Sequence, residues 1–275
     1  MPELPEVETV RRGLEKMVLG DTIEQVSALY PKIIQGDPKN FCQLLKERKI
    51  LSIDRRGKYL IFNLSGELSL ISHLRMEGKY FVKSSSDPLE KHTHVVFSLH
   101  GGKQLRYNDV RKFGRMELVP TSQKFEVSGI KKLGPEPTKA AFDTSVFYHK
   151  LNQKKKVVKT ALLDQTLVAG LGNIYADEVL WLSRIHPETP SYRLNEQEVK
   201  LLHDNIIIEL AKAIRAGGTT IRTYTDAFQH LGSFQFELHV YGKKGMPCER
   251  CGASIEKIVV GQRGTHFCPV CQKVK

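Results

Sequence analysis

Hydrophobic positions in the first half of the chain come in short runs of strand length: IEQVSALY, ILSID, YLIFNL, LSLISHL, KYFVK, HVVFSLH, QLRYND and RMELVP. Turn residues separate them in SGE, SSSDP and HGGK, so this half predicts an antiparallel β-sandwich or barrel. Two stretches break the pattern. The N-terminal MPELPEVETVRRGL has Pro in its first turn and Glu3, Glu6 and Glu8 ahead of Arg11 and Arg12, an order that complements a helix dipole. A second helix is predicted in DPKNFCQLLKERK. Near LGPEPTKAAFD the paired prolines mark a boundary, and from there residues 142–216 carry helical periodicity in TSVFYHKLNQKK, KTALLDQ, NIYADEVLWLSRI and NEQEVKLLHDNIIIELAKAIRAGG. Gly217 and Gly218 form the stop signal of the last helix. The remaining C-terminal segment is small and cysteine-bearing, and there is no internal repeat, coiled coil or low-complexity tract.

Composition narrows the class of partner. The 275 residues leave room for two domains and a tail, and 40% hydrophobic content is ordinary for a globular protein. Lys and Arg number 42 against 30 Asp and Glu, a formal charge of +12 that points to a polyanion, nucleic acid first. A basic protein with a merely solvated surface has the same composition. No run approaches about 18 consecutive apolar residues, and glutamates stand where a secretory signal needs a basic head. The expectation is a cytosolic protein with no membrane partner.

Four of the five cysteines lie in the last 28 residues, and the fifth, Cys42, reads as a small helix residue. Cys248, Cys251, Cys268 and Cys271 form two C-x-x-C pairs separated by 16 residues, the spacing of a four-thiolate structural zinc site on a β-hairpin. Four ligands close the coordination shell, so this metal holds structure and does no catalysis. Between the pairs, VVGQRGTH reads as a hairpin tip around Arg263, which zinc would order.

Three further stretches carry candidate chemistry. In QTLVAGLGNIYADE, Gly170 and Gly172 occupy a turn and Asn173 stands at a helix start where it can cap exposed amides, which suits either a phosphate seat or a tight helix-packing turn. Lys154, Lys155, Lys156 and Lys159 just upstream favour phosphate. SHLRMEGKY and NDVRKFGRMEL each set a bulky residue, Met76 or Phe113, beside basic groups and a glycine; they are two ordinary strand connections, or an apolar wedge for unstacking bases with Arg111 in the gap. The third is the N-terminus itself. A Met before Pro is normally trimmed, which would leave Pro2 as a free secondary amine beside Glu3, a nucleophile next to an acid as well as a capped helix.

The stretches MPELPEVETVRRGL, RRGKYL, SHLRMEG, DVRKFG, LGPEP, DQTLVAGLGNIYADE and VYGKKG, followed by the zinc segment, span the chain in this order and resemble the bacterial formamidopyrimidine-DNA glycosylase family. The resemblance implies an N-terminal β-sandwich catalytic domain over residues 1–135, a helix-two-turn-helix domain over 136–235 and a β-hairpin zinc finger over 236–275. It implies a monomeric bacterial enzyme, with one zinc and no organic cofactor, that removes oxidised purines from damaged duplex DNA and cuts the abasic strand. Pro2, once Met1 is gone, matches the amine nucleophile and Glu3 the acid. Lys58 matches the lysine assigned to β-elimination and Arg263 the arginine assigned to δ-elimination, although both cations could equally position the backbone. His92, Arg111, Lys154 and Asn173 fall on DNA-contacting positions, and Met76, Arg111 and Phe113 on the void-filling set, with Arg111 facing the orphaned base. TTIRTYTDAFQHLGS corresponds to the damaged-base lid. Two other readings compete: a zinc-ribbon DNA-binding protein without catalysis, which has no use for Pro2 and Glu3, and the sister enzyme type acting on oxidised pyrimidines, against which the Met76, Arg111 and Phe113 set argues.

Overall fold

Each of the eight strand-length runs forms a strand in the computed structural model, which describes residues 1–219 and 232–275. The chain divides into two compact units, Met1–Lys131 with Gly217–Gly232, and Lys132–Ala216 with Ser233–Lys275. The lid expected in TTIRTYTDAFQHLGS lies largely outside the described residues.

In the first unit, in chain order, α1 (Leu4–Val18), β1 (Thr22–Ala28), α2 (Pro38–Leu45), β2 (Arg48–Arg56), β3 (Tyr59–Leu64), β4 (Leu68–His73), β5 (Lys79–Ser84), β6 (Thr93–Leu99), β7 (Lys103–Asn108) and β8 (Arg115–Pro120) precede the short α3 (Ser128–Lys131). Every ladder is antiparallel, in the order β5-β7-β6-β1-β2-β3-β4-β8. The link between β1 and β2 is only two residue pairs long, so the sheet works as two four-stranded halves. One apolar core joins them: Val26, Phe97 and Leu105 from one half meet Ile53, Phe62 and Leu70 from the other, together with Val7, Val10 and Leu14 of α1 and Phe41 and Leu45 of α2. Each of these large side chains contributes about 1.5–3 kcal/mol on burial. Helix α2 stops four residues before the end of the helical run DPKNFCQLLKERK, because Glu47 takes a left-handed φ of 60° and turns Arg48 and Lys49 into β2.

Charge also fixes α1. Glu8 accepts from Arg11, Arg12 and Arg55, tying the helix to β2, and although burial pushes its carboxyl up, these guanidinium partners leave it below the usual carboxylate range.

The second unit contains α4 (Thr144–Asn152), α5 (Val158–Leu162), α6 (Asn173–Leu182) and α7 (Glu196–Arg215), then β9 (Glu256–Val260) and β10 (Arg263–Phe267) paired as a hairpin. The helical periodicity of the sequence becomes a core of Phe147, Leu162, Val168, Tyr175, Val179, Leu202 and Ile206. A capping box starts α7, with Glu198 N donating to Asn195 Oδ1 and Asn195 N to Glu198 Oε2. The cysteine segment packs on these helices. Glu178 of α6, fully buried, accepts from the backbone N–H groups of His239, Val240 and Tyr241, and Trp181 shares a small core with Val240, Ile255, Cys248 and Cys268. Among the described residues no helix is long and apolar enough to cross a membrane.

Candidate active site

The start of α1 is built to hold Pro2 and Glu3 in place. Both are buried, Glu3 to 2% exposure, at the positive end of a 15-residue helix where a carboxylate is favoured. Glu6 reaches back one turn: its Oε2 accepts from Glu3 N at 2.8 Å. Its Oε1 accepts from Thr219 N at 2.8 Å and Thr219 Oγ1 at 3.2 Å. Gly218, at φ +76°, makes this approach possible, since a Cβ there would press on the Glu6 carboxylate. One carboxylate therefore clasps the N-terminus of α1 and the stretch that follows α7. With Met1 attached the Pro2 nitrogen is an amide, and trimming converts it to an amine.

Lys58 lies on the tight β2–β3 connection beside Gly57, whose φ is 55°, and is 5% exposed. Its charge is felt by His73 at the end of β4. Burial first, then Arg75 and Lys58, push the His73 imidazole down to about 3. The neutral ring accepts from Arg75 N at its Nδ1, 2.9 Å away, and meets Tyr59 edge-on. His73 was not among the residues expected from sequence. Its signal is the His of SHLRMEG, which only the fold sets beside Lys58.

The residues expected to contact DNA in this unit lie on turns at strand ends. His92 precedes β6 at a left-handed φ of 74°, its carbonyl accepting from Asp109 N. Met76 is half-buried between β4 and β5, while Arg111 and Phe113 are exposed between β7 and β8, the Arg111 guanidinium 4.8 Å from the Phe113 ring centroid.

In the second unit Lys154 is half-buried, and its Nζ donates to Asp164 Oδ2 at 2.8 Å. Burial alone would raise the Asp164 carboxyl, but Lys154 and Thr166 bring it to about 2. Gln165 staples the glycine turn, accepting from Gly170 N and donating to Leu171 O. The sequence reading of Asn173 as the cap of α6 needs correction. Gly172 is the extended N-cap, and Asn173 is the first helical residue, its Nδ2 donating to Gly264 O at 3.0 Å and so reaching β10. Arg263 is exposed at the start of β10, one residue past the hairpin apex. Gly261 and Gln262 form that apex, both with positive φ as a type I′ turn requires. The hairpin is anchored from below: His266 N donates to Asp177 Oδ2 at 2.9 Å, and Asp177 also pairs with the buried Lys159.

The Sγ atoms of Cys248, Cys251, Cys268 and Cys271 all lie within 4.8 Å of one another, with pairs at 3.9 Å and 3.5 Å. Four thiolates at about 2.3 Å from one zinc in a tetrahedron would be about 3.8 Å apart. The donor set and its spacing therefore fit one structural zinc, and Trp181 Nε1 donates to Cys248 Sγ as an outer partner.

Three family models match the chain: the formamidopyrimidine-DNA glycosylase N-terminal domain over residues 1–116, the formamidopyrimidine-DNA glycosylase H2TH domain over 133–225, and the zinc finger found in FPG and IleRS over 245–274. The formamidopyrimidine-DNA glycosylase of Ligilactobacillus salivarius is 62% identical over 275 residues, all of both chains. The chain belongs to the formamidopyrimidine-DNA glycosylase family. That family comprises DNA glycosylases that are also abasic-site lyases, and it carries a structural zinc finger. Similar solved structures include the wild-type Lactococcus lactis Fpg with DNA containing N7-benzyl-Fapy-dG, at 52% identity and TM-score 0.95, covering 99% of this chain and 100% of that one. The same Lactococcus lactis protein with DNA containing an oxidised pyrimidine matches at 51% identity and TM-score 0.94, with the same coverage.

Proposed function

We propose that this chain removes oxidised purines, 8-oxoguanine and formamidopyrimidines, from duplex DNA and then cuts the abasic strand by β- and δ-elimination. The observation that carries the reading is the buried Pro2 and Glu3 pair, ordered by Glu6 at the start of α1. Once Met1 is removed, the Pro2 lone pair attacks the anomeric carbon of the damaged nucleotide. The glycosidic bond breaks, and the base leaves with its electron pair and takes up the proton that the Pro2 nitrogen gives up. Glu3 protonates the sugar ring oxygen as the ring opens, leaving the carbon joined to Pro2 as an iminium. A secondary amine makes this iminium permanently cationic. It is the electron sink for loss of the neighbouring proton and expulsion of the 3′ phosphate.

Lys58 serves β-elimination and Arg263 δ-elimination in this reading, and as cations both also suit the positioning of the backbone. His92, Arg111, Lys154 and Asn173 contact the DNA, Lys154 being already oriented by Asp164. Met76, Arg111 and Phe113 fill the space left by the everted base. The four cysteines hold the zinc that supports the Arg263 hairpin. The protein acts as a monomer in the bacterial cytosol, its domains falling near residues 1–135, 136–235 and 236–275.

Borohydride trapping tests the reading. Incubation with a duplex holding one 8-oxoguanine opposite cytosine should give a stable enzyme–DNA adduct, and one extra residue ahead of Pro2 should abolish it. An undiminished adduct in the blocked protein would move the nucleophile to a lysine. A second substrate class, oxidised pyrimidines, is favoured by the Lactococcus lactis relative solved with such DNA. Parallel cutting assays with thymine glycol set its weight against the purine lesion.

A further inference from the structure

Two turns of the first unit carry the side chains proposed to enter the base stack, and both close on one buried phenol. The first runs from Leu74 to Gly78 and carries Met76; Gly78 N donates to Leu74 O at 2.9 Å. The second covers residues 109–114 and carries Arg111 and Phe113. Its organiser is Asp109, which is fully buried. Asp109 Oδ1 accepts from Arg111 N at 3.1 Å, and Oδ2 accepts from Gly114 N at 2.8 Å and from the Tyr107 hydroxyl at 3.4 Å. The Asp109 carbonyl accepts from Lys112 N at 3.2 Å and lies 2.8 Å from His94 Nε2. Tyr107 is also fully buried and meets Tyr80 edge-on. Its hydroxyl lies so close to Gly78 and Gly114 that a Cβ on either would overlap it. Each turn thus presents a bare glycine backbone to the same oxygen, which sets their separation.

A buried carboxylate is costly unless its oxygens are occupied, and here the occupants are the backbone of the turn itself and the phenol that spaces it from its neighbour. We propose that Tyr107 and Asp109 are positioning residues for intercalation, holding the Met76 turn and the Arg111–Phe113 turn in one fixed arrangement before DNA is met. The proposal rests on the reading that Met76, Arg111 and Phe113 enter the duplex. Preorganisation of this kind speeds base eversion, but it matters less for a site that has already lost its base.

Asp109→Asn keeps the shape but turns an N–H toward one of two backbone donors, and Tyr107→Phe removes only the hydroxyl. Both go into single-turnover assays on 8-oxoguanine opposite cytosine, on 8-oxoguanine opposite adenine and on a preformed abasic site. Thermal unfolding is followed, and Met76→Ala and Phe113→Ala are run beside them. Asp109→Asn should slow excision about tenfold or more and shrink the cytosine-over-adenine preference, while abasic-strand cutting drops by less than about threefold. Tyr107→Phe should shift the same quantities in the same direction by less. Loss of all activities in proportion to lost folded protein, in both variants, would overturn the proposal and leave a purely structural role. So would unchanged excision in Asp109→Asn when Met76→Ala and Phe113→Ala are slow. If those two direct variants excise normally, the intercalation reading itself fails, and this proposal with it.

Discussion

His73 sits where burial, Arg75 and Lys58 all oppose a proton, and its pKa of about 3 has a consequence for stability. The folded value lies below the usual imidazole value of 6.5, so between the two the unfolded chain binds a proton that the folded chain refuses. Stability is therefore complete above pH 6.5 and is lost as the pH falls toward 3, by up to about 1.4 kcal/mol per pH unit. Denaturant unfolding at several pH values should show the wild type losing more stability on acidification than His73→Asn; parallel curves would mean that the ring is protonated in the folded protein. The role proposed for Arg111, facing the orphaned base, carries a different kind of information. With the damaged purine everted, the opposite base is left unpaired, and a guanidinium can donate to the acceptors on cytosine's pairing edge, whereas adenine turns an amino donor toward it. Each such contact is worth about 1–3 kcal/mol, roughly tenfold to more than a hundredfold in preference. Arg111→Ala should flatten the ratio of cutting opposite cytosine to cutting opposite adenine, measured on matched duplexes. An unchanged ratio would assign discrimination elsewhere.

At the scale of elements, the features legible in sequence are those written in local pattern. The run YLIFNL is β3 residue for residue, the Glu-first order of the N-terminus becomes α1, and the C-x-x-C spacing brings four thiolates together. What escaped depends on backbone angles or on distant partners. Sequence does not say which residue of Gly172 and Asn173 takes the extended cap conformation, and the answer releases the Asn173 side chain to reach Gly264 O. Nor does anything local to NDVRKFG say that Asp109 turns its carboxylate inward, or that Tyr107 stands between Gly78 and Gly114, which belong to two separate turns. The hairpin of β9 and β10 combines both cases. Its cysteines are legible, but its attachment to α5 and α6 through Asp177 and Lys159 is not. Five-residue strands are too short to order Arg263 alone, so zinc and that attachment share the work. Elemental analysis should find about one zinc per chain, and Cys268→Ser should lose it and weaken DNA binding about tenfold or more, as expected when a site depends on its metal. A metal-free preparation with full affinity would separate the hairpin from DNA binding.

Over the whole molecule, the excess of 42 Lys and Arg over 30 Asp and Glu turns into a salt dependence that can be written down from the residues named. Each phosphate neutralised on B-form DNA contributes about −0.9 to the slope of log affinity against log salt, so the contacts proposed for Lys58, Lys154 and Arg263 would together give a slope of about −2.7, and any further contact would steepen it. Lys154 introduces a refinement, because it arrives paired with Asp164, whose pKa of about 2 keeps it ionised at any working pH. A phosphate that meets Lys154 therefore meets a cation whose field is partly cancelled. Lys154→Ala removes that cation and uncovers the Asp164 carboxylate, so its affinity loss should exceed that of a lone phosphate contact, while the slope becomes shallower by about 1 or less. Adding Asp164→Asn to Lys154→Ala should recover part of the lost affinity, since the exposed anion is gone. Both variants should lose affinity about equally for 8-oxoguanine opposite cytosine and opposite adenine, because a backbone contact carries no base information. Binding titrations from low to moderate salt on the two duplexes test each statement. A flat salt profile would rule out a phosphate-tracking surface, and a double variant no tighter than Lys154→Ala would show that Asp164 is neutralised by another group once DNA is bound.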